Sequence, residues 1–119
     1  MTTPAQELRA AAEKLRALAA AATESSGSDQ WEALRRYPGD PNHTATILRT
    51  APGKNLIHGG RAGKLPGPAV SGPVGDYIAA MGPTVGRAIA DWLDSEADHG
   101  LNIDRAALTT ARRLLGGQP

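Results

Sequence analysis

Apolar residues recur at Leu8, Ala11, Leu15, Leu18 and Ala22, in steps of three, four and seven that draw one stripe along a helix. Thr3-Pro4-Ala5-Gln6 opens that helix. Threonine serves as N-cap, proline takes the first helical position, and glutamine three residues on closes a capping box. The pattern predicts a helix to about Ala22 that stops at Ser25-Ser26-Gly27-Ser28. Its near-heptad spacing also suits a partner helix.

The period then shortens. Gln30–Arg36, around Trp31, reads as a strand, and so does the Thr- and Ile-rich run His43–Thr50. Lys54–His58 follows Ala51-Pro52-Gly53, so a hairpin is expected between the last two runs. From Ala51 to Gly75, seven glycines and four prolines fall within 25 residues, which predicts a long loop. Helical spacing returns at Asp76–Met81, and Gly82-Pro83 breaks that helix and begins another. Val85, Ala88, Ile89, Trp92 and Leu93 mark the expected buried face of a helix lasting to about Asp98. Asp104 is placed to cap a final helix carrying Ala107, Leu108, Ala111, Leu114 and Leu115, with Gly116 as its stop. The expected fold is α+β and mostly helical: an N-terminal helix, a small β-hairpin region, a long Gly/Pro loop at 51–75 and two or three C-terminal helices. All 119 residues read as one small domain.

Composition changes this picture in one respect. Alanine supplies 22 residues, whereas Leu, Ile and Val together supply 20 and Phe none. The core is therefore thin, and self-association into a homo-oligomer is expected to complete it. The absence of cysteine excludes disulfides, thiolate metal sites and a Cys nucleophile. No apolar run is long enough to span a membrane, and Glu7 and Glu13 interrupt any signal-peptide pattern, so a cytoplasmic protein is expected.

The net charge of +1 conceals blocks. Residues 35–75 carry +5, through Arg35, Arg36, Arg49, Lys54, Arg61 and Lys64 against Asp40. Residues 76–104 carry −5, through Asp76, Asp91, Asp94, Glu96, Asp98 and Asp104 against Arg87. These blocks either neutralise one another or present opposite patches to partners.

Three segments together carry a resemblance: Glu7–Leu15, the Trp that follows, and Tyr77-Ile78-Ala79-Ala80-Met81-Gly82-Pro83 leading to Ala90-Asp91-Trp92-Leu93-Asp94. In that order they resemble small uncharacterised actinobacterial and actinophage proteins, and more distantly the Ead/Ea22-like phage proteins. The chain departs from the commoner pattern at Gly82, where His or Asn precedes the proline. The resemblance implies a phage or mobile-element accessory protein acting in a bacterial host, and it brings no catalytic residues.

His58-Gly59-Gly60-Arg61-Ala62-Gly63-Lys64-Leu65 carries the most suggestive chemistry. It is not a P-loop: only three residues separate Gly59 from Gly63, Leu65 stands where a hydroxyl must hold Mg²⁺, and Pro66 disfavours the helix start. Glycines nonetheless let amides converge on an anion, and neighbouring cations add charge-assisted bonds. Arg49, Lys54, His58, Arg61 and Lys64 are the candidate phosphate contacts, with the amides of Gly59, Gly60 and Gly63 assisting. Trp31 or Tyr37 is the candidate stacking partner for a base.

Other sites fail on pattern. Asp94, Glu96, Asp98 and Asn102 imitate part of a calcium loop, but His99 and Arg105 occupy its Gly and Glu positions. No nucleophile elbow surrounds Ser71 and no zincin motif occurs, so no catalytic residue, cofactor or metal is expected. Few aromatics and an acidic helix argue against nucleic acid. The expected function is non-enzymatic binding of an anionic small molecule; with the context the resemblance implies, this becomes an anti-defence sponge for a nucleotide signal. The alternative is a protein–protein module that binds a host regulator or enzyme through its helices and acidic face.

Overall fold

The capping box at Thr3 starts the first helix as the sequence predicts. In the computed structural model, which describes residues 2–57 and 69–116, Thr3 Oγ1 accepts the Gln6 amide at 3.1 Å. Gln6 Oε1 accepts the Thr3 amide at 2.9 Å in return. Helix α1 runs Pro4–Ser26, four residues beyond the expected end, until Gly27 takes a left-handed turn at φ +81°. After it come β1 (Trp31–Arg35), β2 (Thr46–Thr50), α2 (Gly72–Ala80), α3 (Pro83–Ala97), a 3₁₀ turn (Gly100–Asn102) and α4 (Arg105–Leu114). The α+β, mostly helical class is as expected.

The chain divides into two compact units: Met1–Ala21 with Val85–Pro119, and Ala22–Thr84.

The first unit is a three-helix core of small residues. Leu8, Ala11 and Ala12 from α1 meet Ala90, Leu93 and Ala97 from α3 and Ala107 and Ala111 from α4. Only Leu8 and Leu93 are large, and alanine elsewhere permits close helix spacing. The α1 stripe is Leu8–Ala11–Ala12–Leu15–Ala19; Leu18 is exposed, because at 100° per residue it sits about 80° around the helix from Leu8. On α3, Ala88 and Trp92 likewise fall outside the buried face assigned to them, which is Gly86–Ala90–Leu93–Ala97.

The acidic residues of α3 serve this unit. Arg9 bonds Asp98 at 2.6 Å, and Arg16 bonds Asp91 at 2.7 Å and Asp94 at 2.5 Å. Arg9 and Arg16 lie seven apart, as do Asp91 and Asp98, so antiparallel helices bring two turns of each into register. The Asp91 and Asp94 carboxylates hold the Arg16 guanidinium more firmly protonated than usual. Arg112 of α4 completes the set on Glu7 at 2.8 Å. Asp104 occupies the N-cap of α4, but its side chain makes no capping bond. Glu96 Oε1 instead accepts the Asp104 amide at 3.0 Å.

In the second unit β1 and β2 pair antiparallel, with Trp31 opposite Thr50 and Arg35 opposite Thr46. The main hairpin is therefore closed by residues 36–45, not by Pro52-Gly53. The expected Pro-Gly reversal survives as a short return: Gly53 turns at φ +108°, and its amide reaches Thr50 O at 2.8 Å. Beyond it the Leu56 amide reaches Leu48 O at 2.9 Å. Helix α2 begins at Gly72, four residues earlier than predicted, and lies on the sheet through its glycines. A Cβ at Gly75 would fall 2.7 Å from Thr46 Cγ2, and one at Gly72 only 2.8 Å from Arg35 Cζ. Buried Thr46 is satisfied, since its hydroxyl accepts from Arg35 Nη1 at 2.8 Å and donates to Thr44 O at 2.7 Å.

Candidate functional site

A cation and an indole come together where the end of α1 meets the start of β1. Gly27 reverses the chain after α1, and the serines around it fix the bend: Ser26 Oγ donates to Ser28 O at 2.8 Å. Ser26 Oγ also accepts Trp31 Nε1–H at 3.3 Å, which anchors the indole. The return after Gly53 then carries Lys54, Asn55 and Leu56 back alongside, through Thr50 N to Lys54 O at 2.8 Å and a bridge between Arg49 and Asn55. Ala22, Ser25, Ser26, Trp31, Asn55 and Leu56 enclose a cleft of about 200 Å³.

Lys54 stands at its rim. The ammonium donates to Ser25 O at 3.4 Å, a carbonyl in the last turn of α1, which contains no basic residue of its own. A cation there complements the negative end of the helix dipole. One of its three N–H donors is so engaged.

Arg49 lies elsewhere. In an antiparallel ladder directly opposed residues share a face, and successive residues alternate. Trp31 therefore shares its face with Thr50, and Arg49 shares the other with Glu32, whose Oε1 accepts from Arg49 Nε at 2.5 Å. A ligand stacked on Trp31 is out of reach of that guanidinium. Tyr37 is also apart, in the 36–45 connection, where its ring meets His43 edge-on at 5.7 Å. His43 Nδ1 bonds Asp40, and this bond, ahead of one from the Asn42 amide, lowers the Asp40 carboxyl below its ordinary range. His58, Gly59, Gly60, Arg61, Gly63 and Lys64 lie outside the described residues.

Of the expected ligand residues, then, Trp31 and Lys54 meet at one cleft and Arg49 and Tyr37 do not join them. Ser25, Ser26 and Asn55 were missed. The serines read as linker, although a Ser-Ser-Gly-Ser bend before a tryptophan carries enough hydroxyls to fix a side chain. Asn55 lay within a run read only for its β propensity. The described lining offers an indole and serine hydroxyls, groups that bind and orient, whereas Asn55, bridged to Arg49, directs its side chain to the Arg49 face. Among the described residues no cluster of three or more His, Asp or Glu could hold a metal ion, and no helix is long and apolar enough to cross a membrane.

No protein-family model, curated protein or solved structure matches the chain.

Proposed function

We propose that this protein is a non-enzymatic binder of an anionic small molecule, and that it acts as a phage or mobile-element accessory protein in the host cytoplasm by sequestering a nucleotide signal. The observation that supports this reading is the Trp31 cleft with the Lys54 ammonium at its rim. A fixed indole supplies a stacking surface, and a lysine with spare donors supplies charge for a phosphate. In sequence the Gly-rich basic stretch His58–Lys64 begins two residues after Leu56.

Thermal melts against linear and cyclic nucleotides, NAD-derived signals and simple phosphates test it. A ligand at about a hundred times its dissociation constant adds roughly 2.7 kcal/mol and raises the midpoint by roughly four degrees or more. The shift should shrink in Lys54→Ala and in the double variant Arg61→Ala, Lys64→Ala. Recovery of the ligand unchanged would separate sponge from enzyme. A flat panel overturns the reading.

A second reading, a protein–protein module, draws support from α2. Val74 and Tyr77 of that helix and Met81 at its C-cap stand exposed at i, i+3 and i+7. The acidic face of α3 gives this reading less, because Arg9 and Arg16 already occupy it.

A further inference from the structure

We propose that the protein pairs with a second copy of itself through an apolar hollow in its first unit, each copy seating its Leu101 in the hollow of the other. The hollow, about 340 Å³, opens between the first turn of α1 and the start of α4, with Pro4, Ala5, Ile103 and Leu108 among its walls. Leu101 stands at its edge and is the most exposed large apolar side chain among the described residues. This contact goes beyond the small-molecule reading above and does not depend on it.

A lone exposed leucine is ordinary on a protein surface. This one is set out by the fold: Gly100, in the left-handed region at φ +64°, opens the 3₁₀ turn Gly100–Asn102 that carries Leu101. A knob beside a hole on one patch is what a twofold interface requires, because the same surface then serves both copies and each contact is made twice. The hollow is also continuous with the core, since Ala5 and Ile103, which line it, pack against the cluster around Leu8 and Leu93. A leucine from a second copy adds the apolar bulk that the alanines of this core lack.

Charge at the rim fits the same partner. Asp104 and Arg105 stand four and three residues before Leu108, so both flank it on the α4 surface. Asp104 makes no capping bond with its side chain, and neither it nor Arg105 has an ion pair or side-chain hydrogen bond with the described residues. Arg112, the next charge on that face, is already held by Glu7. An acid and a base side by side are self-complementary: about a twofold axis, Asp104 of each copy meets Arg105 of the other. A partner surface of one sign would match only one of them.

Sedimentation of the full chain over a wide range of concentration tests the pairing. The protein should form a dimer that dissociates reversibly on dilution. Leu101→Asp alters a fully exposed side chain, so the variant should keep the parent's circular dichroism and dimerise about tenfold or more weakly. Asp104→Arg and Arg105→Asp should each weaken the dimer, since like charges then face one another, and mixing the two variants should restore it as a heterodimer. A chain that is monomeric at every concentration overturns the proposal. So does a monomer that takes up an apolar dye lost in Leu101→Asp, which gives the hollow to a small ligand instead. A dimer that Leu101→Asp leaves as tight as the parent overturns the location, and charge variants that pair as well alone as when mixed overturn the twofold arrangement.

Discussion

Arg35 and Asp76 show how a residue read as part of a basic block becomes a fixed element of the fold. Arg35 Nη1 and Nη2 meet Asp76 Oδ1 and Oδ2 at 3.0 and 2.7 Å, a two-pronged pair joining β1 to α2. Bonds from Arg35 hold the Asp76 carboxyl below its ordinary range. A folded-state value below the unfolded one, about 3.9, means the pair's stabilisation is present above that pH and is lost as pH falls through the depressed value. Asp76→Asn should therefore flatten the acid limb of stability against pH, read by urea midpoints between about pH 5 and 2. Leu93 makes a sharper demand. It is one of two large, fully buried apolar side chains in a core otherwise built of alanine. Leu93→Ala should cost about 2–5 kcal/mol in chemical denaturation, because small neighbours cannot collapse into the space. Of the expected contacts, Trp31 and Lys54 do stand at one cleft. Arg49 takes the other face from Trp31, which the sequence could not tell, because register is set by pairing partners that no local pattern reveals.

Elements were readable where the signal is local. The Thr3–Gln6 capping box, the break at Gly82-Pro83 and the Gly116 stop depend on neighbours in sequence, and all three stand where expected, Gly116 at φ +81°. Thr3→Ala should lower stability by about 1 kcal/mol. The hairpin partner was not readable, since three β-prone runs allow two pairings and only tertiary packing chooses. Nor was the early start of α2. Gly72-Pro73 and Gly75 look like loop, yet the glycines are there because α2 rests directly on β1 and β2. Two glycines separate this role from mere flexibility. Gly75→Ala gains about 1 kcal/mol of helix propensity but drives a Cβ against Thr46 Cγ2, which is itself buried. The net effect should be a loss of about 1–2 kcal/mol. Gly82→Ala meets its neighbours no closer than 3.4 Å and should change stability by less than about 0.5 kcal/mol. Comparing the two thermal midpoints checks the packing of α2 on the sheet.

At the level of the whole chain, the charge blocks find partners inside each unit. The acids of α3 take arginines from α1, and within the second unit Arg35, Arg49 and Lys54 are each bound by a neighbouring group. These contacts are exposed or half exposed and contribute little individually. Lys54 differs from the two arginines in holding a backbone carbonyl and not a carboxylate, so its charge is not neutralised by that contact, and it stands beside the Trp31 cleft. The proposed function requires an anionic ligand to enter there. The direct measurement is a ¹H–¹⁵N spectrum of the protein titrated with a nucleoside monophosphate, following the two indole N–H resonances. The Trp31 signal should move saturably, the Trp92 signal should stay in place, and Lys54→Ala should weaken the effect. A titration in which Trp31 does not move, or in which only Trp92 does, would contradict it.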